Sequence, residues 1–143
     1  MKIEIKWTDI SDDDSHHLWN AKYVLYAYFH PEKDKLLYIG KCLSTTVKCR
    51  WQGKDKLIGF WKQLKDEGIH EHSIAVGELK IKDKHEFTDI LLKDIESLLI
   101  FSLRPWGNIQ CVNSIILSHK LKIFCKGDWY HNLNYFANYF DKK

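Results

Sequence analysis

No apolar run in the 143 residues approaches the roughly 20 that a membrane-spanning helix needs. The opening, MKIEIKWTDISDDD, holds no apolar stretch of the signal-peptide kind. These absences predict a cytoplasmic protein without a membrane partner. No two of the four cysteines, Cys42, Cys49, Cys111 and Cys125, form a CxxC pair. Their spacing suits no ordinary zinc site, so they read as buried or neutral thiols. Internal repeats, linkers and low-complexity segments are also missing. The net charge of +3 is too small to diagnose a nucleic-acid partner by itself.

What is present fits one globular domain. Hydrophobic residues make up 45% of the chain and charged residues 29%, the balance of a soluble protein with its own core. Six Trp, seven Tyr and seven Phe are many for this length. Most belong in the core, and some could stack on a flat ligand.

The charge is unevenly spread. Residues 1–31 sum to −2, residues 32–65 to +6, residues 66–110 to −4 and residues 111–143 to +3. A polyanion would be drawn to the basic block. A lysine-rich solvated face would look the same.

Hydrophobic periodicity orders the chain. Residues 2–7 alternate as a half-buried strand. Residues 22–29, KYVLYAYF, read as a central strand, with Val24, Tyr26 and Tyr28 on one face and Leu25 and Ala27 on the other. Residues 36–39 return as its hairpin partner and end at Gly40, which is expected to turn the chain. A helix follows over 45–51, capped by Ser44, Thr45 or Thr46. A second helix spans 57–67 and ends at Gly68. A third strand runs over 72–81. The longest helix covers 86–103, and Arg104 and Pro105 end it. Residues 108–117 and 120–124 suggest a small hairpin, and residues 129–140 a final aromatic helix. Two short clusters, DDDSHH at 12–17 and HEH at 70–72, invite a metal reading, though polar loops account for both.

Glu96 stands out on the long helix. Its neighbours at i−4, i+3 and i+4 are Leu92, Leu99 and Ile100. A carboxylate so surrounded is poorly hydrated and needs a cation, hydrogen bonds or a metal. An ion pair with Lys41, Arg50 or Arg104 would be the structural solution.

Taken together, Val24-Leu25-Tyr26, then Tyr38-Ile39-Gly40-Lys41, then Arg50, then Glu96 with Pro105 and Asn108 resemble the GIY-YIG nuclease superfamily. The similarity spans residues 22–108, about three fifths of the chain. Val24-Leu25 stands where Gly-Ile is typical, and the Gly40 to Arg50 gap is about two residues longer than usual. The resemblance implies an α+β domain with a small, mainly antiparallel three-stranded central sheet flanked by helices. Residues 22–108 would be the nuclease core, within a single domain, and 109–143 a C-terminal extension. It implies an endonuclease that hydrolyses DNA phosphodiesters, with RNA also open as substrate, as a monomer or homodimer. Glu96 would hold one Mg2+ or Mn2+, and Arg50 would brace the phosphate oxygens. Tyr26 would act as general base or position the water, and Tyr38 would hydrogen-bond within the site. Gly40, Lys41 and Asn108 would support these groups. Lys48, Lys54 and Lys56 would contact flanking phosphates. Two other readings stand beside it: a non-catalytic nucleic-acid-binding module on the same scaffold, and a protein-interaction domain using an apolar patch around Trp129, Tyr130, Tyr135 and Phe136.

Overall fold

The computed structural model describes residues 1–11, 13–29, 36–52, 62, 65–66, 68, 73–81, 87–105, 107–108 and 116–139. Its centre is one six-stranded mixed sheet. The strands are β1 (Lys2–Asp9), β2 (Val24–Phe29), β3 (Leu36–Cys42), β4 (Ser73–Lys80), β5 (Lys122–Gly127) and β6 (Tyr135–Ala137). Their order across the sheet is β3-β2-β4-β1-β5-β6. The β1–β5 pair is parallel and all other neighbours are antiparallel.

This overturns the expected three-stranded sheet flanked by helices. β1 pairs on one side with β4 and on the other with β5. The N-terminal strand therefore joins the three expected strands to residues expected to lie outside the core. Of the anticipated hairpin over 108–124, residues 109–115 lie outside the described residues, and β5 takes β1 and β6 as its partners. The expected helix over 129–140 is not formed, and part of it is strand β6.

Two helices bracket the site. Helix α1 is Val47–Gln52 and helix α2 is Asp89–Leu103. Thr88 caps α2 by accepting the Leu91 N–H at 3.0 Å. Arg104 closes it in the left-handed conformation with its N–H on the Ile100 carbonyl. Thr46 Oγ1 accepts the Cys49 N–H at 3.1 Å and so caps α1. Of the helix expected over 57–67, Lys62, Lys65 and Asp66 are described and helical. Gly68 adopts φ +81 and bonds to the Lys65 carbonyl as its stop.

The two sheet faces bury different clusters. Ile3, Ile5, Trp7, Leu25, Ala27, Phe29 and Ile39 meet the apolar side of α2, including Leu91, Leu92, Ile95 and Leu99. This helix touches β3 and β2 at one end of the sheet and β6 at the other. Strands lie about 4.8 Å apart, so the ends of six flat strands would sit roughly 24 Å from each other. The sheet curls, and the helix, of 15 residues and about 22 Å long, reaches both its ends. On the opposite face, Val24, Tyr26, Tyr28, Cys42, Ile74 and Val76 pack with Leu18, Trp19 and Val47. Leu18 and Trp19 belong to a short 3-10 helix, His17–Asn20. His16 caps it, its ring nitrogen accepting the Leu18 N–H at 3.1 Å, and Ser15 folds back on Asp13. Local turn bonds thus engage this part of the acidic loop.

Candidate active site

The site is built at the open edge of the sheet, on β3. A β-bulge at Tyr28/Phe29 sets the register, which places Tyr26 opposite Gly40 and Tyr28 opposite Tyr38. Alternation then brings the three tyrosines to one face. Their ring centroids lie 5.6 to 6.1 Å apart. Gly40 was expected to turn the chain, but it lies inside β3. A Cβ there would overlap the end of the Tyr26 ring. Glycine is needed because the phenol occupies that space. The Tyr26 phenol lies close enough to that of Tyr38 to hold its pKa down.

Lys41 points to the other face of β3. It reaches Glu96 on α2, with Nζ 3.1 Å from Oε1. Glu96 is only 6% exposed. Burial pushes its carboxyl above the usual carboxylate range, and Lys41, then Arg50 and Lys93, pull it back. Of the three expected cation partners, Lys41 makes the ion pair. Arg50 is exposed on α1. Its charge is felt by Glu96, Tyr26, Tyr38 and Cys42 together.

Asn108 is buried and bonds to the outer edge of β3. Its Oδ1 accepts the Ile39 N–H at 2.9 Å and its Nδ2 donates to the Ile39 carbonyl at 2.8 Å. The Gly107 N–H adds a bond to the Leu37 carbonyl at 2.7 Å. The side-chain amide replaces a neighbouring strand at an otherwise unpaired edge. It fixes the backbone between Tyr38 and Gly40.

The tyrosines differ in their electrostatics. Burial drives Tyr26 and Tyr28 far above the ordinary phenol value, and neighbouring phenols add to it. Arg50 offsets this only in part at Tyr26. Tyr26 therefore stays neutral. Tyr38 is half-buried and is raised by burial and by the Glu96 charge, against the pull of Tyr26 and Arg50. It is the phenol with access to solvent.

Two participants escaped sequence reasoning. The Cys42 thiol lies in the same field, and burial pushes it up to about 12, so it is a poor nucleophile. Lys93 sits one turn before Glu96 on α2, a spacing that does flag it. Lys48 is exposed on α1 beside the cluster, whereas Lys54 and Lys56 lie outside the described residues, as does the HEH cluster.

No family model, curated protein or solved structure matches this chain. Among the described residues no helix is long and apolar enough to cross a membrane. Of the anticipated apolar patch, Tyr130 and Tyr135 are exposed, whereas Phe136 is 5% exposed and Trp129 packs on Trp7 at 4.9 Å and on Phe29 at 5.4 Å.

Proposed function

We propose that the chain is a metal-dependent endonuclease of GIY-YIG type acting on DNA. The supporting observation is that Lys41 on β3 pairs with the nearly buried Glu96 on α2, while the Arg50 charge acts on Glu96, Tyr26 and Tyr38. A nearly buried acid among cations and phenols is costly for a purely structural purpose.

Phosphodiester hydrolysis requires a water oxygen to bond to phosphorus as the P–O3′ bond breaks. The products are a 5′-phosphate and a 3′-hydroxyl. In this reading Arg50 holds the non-bridging oxygens with planar, permanently charged donors. Tyr38 orients the attacking water, and Tyr26, held neutral, fixes Tyr38. Lys48 guides the flanking backbone.

The donor set suits one hydrated Mg2+ or Mn2+. Glu96 offers a hard carboxylate oxygen, and Lys41 engages Oε1. Among the described residues no three His, Cys, Asp or Glu side chains converge on a metal. Water and substrate phosphate would complete the shell, as hard cations commonly permit. When bound, such an ion supplies Lewis-acid polarisation of the phosphate and stabilises the leaving oxygen.

The Lys41–Glu96 pair and the neutral Tyr26 also favour a second reading, a non-catalytic nucleic-acid-binding module. Plasmid, branched and single-stranded DNA, incubated with the protein and Mg2+ or Mn2+, separate the two. Metal-dependent nicking that Arg50→Ala lowers by about a hundredfold or more supports the nuclease. Binding that a chelator leaves unchanged, with no cleavage of any substrate, supports the module.

A further inference from the structure

Among the described residues, no helix packs over the outer face of β1, β5 and β6. The 3-10 helix and α1 pack over the β2–β3 end of that side, while Lys2, Lys6, Lys126 and Tyr135 are exposed. Alternation explains the composition. Ile3, Ile5, Ile123, Cys125 and Phe136 point to the core, so their neighbours point out. On these strands the outward positions carry four lysines against one glutamate, Glu4, which pairs with Lys126 at 2.7 Å.

Aromatic rings sit among these cations. Phe124 and Tyr135 are cross-strand partners with centroids 4.8 Å apart. Lys2 Nζ lies 5.1 Å from the Phe124 centroid, and Lys122 Nζ lies 5.2 Å from that of Tyr139. Tyr135 is 47% exposed. A large ring left in solvent on a folded sheet, as Tyr135 is, gains little for stability.

We propose that this face binds single-stranded nucleic acid, with bases stacking on Tyr135 and Phe124 and phosphates meeting Lys2, Lys122 and Lys126. Charge complementarity selects a polyanion. The exposed Tyr135 ring, backed by the half-buried Phe124 across the strands, selects one whose bases are unpaired, because a duplex hides its base faces. The face lies away from the Glu96 cluster, and its occupant is independent of whether that cluster cleaves.

The test is fluorescence anisotropy of a labelled oligo-dT strand and of a duplex of equal length, titrated with the full chain in EDTA at several salt concentrations. The expected result is preference for the single strand, weakening steeply with salt. Tyr135→Ala should weaken binding by about fivefold to a hundredfold, the range for one lost base stack. Tyr135→Phe should retain wild-type affinity, and Lys2→Glu should weaken binding and reduce the salt slope. Circular dichroism confirms that each variant is folded. Equal affinity for duplex, affinity unchanged in folded Tyr135→Ala, or no binding at low salt would overturn the proposal.

Discussion

A methyl group at position 40 would overlap the Tyr26 ring, which is held between two other tyrosines. Gly40→Ala should therefore cost about 1–3 kcal/mol, as overpacking does, and displace the Tyr26 phenol from Tyr38. Urea denaturation reads the first effect and loss of cleavage the second. Glu96 allows a pH prediction. Its proton is held more tightly in the folded chain than in the unfolded one. Between the ordinary carboxylate range and the raised folded value, the native state binds more protons. Stability then falls as pH rises through that window. Glu96→Gln removes the dependence, so its melting temperature relative to wild type should climb as pH rises above the ordinary carboxylate range. A flat difference would show that Lys41 fully neutralises the acid. The need for a cation at Glu96 was legible in the sequence, because its helical neighbours are apolar. The role of Gly40 was not, because a cross-strand ring fills the space and tripeptide chemistry suggests a turn.

At the scale of elements, β3 depends on Asn108. Both of that side chain's polar atoms bond to Ile39 in a buried setting. Asn108→Leu should cost about 1–3 kcal/mol, the penalty for leaving buried backbone groups unpaired. Hydrogen exchange should show faster opening at Ile39 than at β2. A second such anchor is Asp94, buried on α2, which accepts the Ser118 and His119 N–H groups and faces His119 Nδ1 at 2.7 Å. Elements with a clear period were readable: β1, β2, β4, α2 and the stops at Arg104 and Gly68. The segment at 129–140 was misread because its aromatics suit either period. Trp129 goes to the core through Trp7 and Phe29, and Tyr135 stays outside as half of a cross-strand pair.

Across the whole molecule, β1 is the joint. It pairs along most of its length with β4 on one side and β5 on the other. Deleting residues 1–9 should leave a chain without a cooperative thermal transition. Partnerships of this kind were invisible in the sequence: alternation shows that a strand exists and which side is apolar, but not its neighbours. The parallel β1–β5 pair joins residues more than a hundred positions apart. The edge site depends on the same frame, since α2 carries Glu96 only where the curled sheet holds the helix. The most direct measurement is plasmid nicking by wild type and Glu96→Gln in Mg2+ or Mn2+, with the folded fraction of each matched by its melting curve. Nicking by wild type, and its loss in a variant at least as stable at neutral pH, is the result expected of a site that sacrifices stability for chemistry. Equal nicking by both proteins, or none by wild type on any DNA, would contradict it.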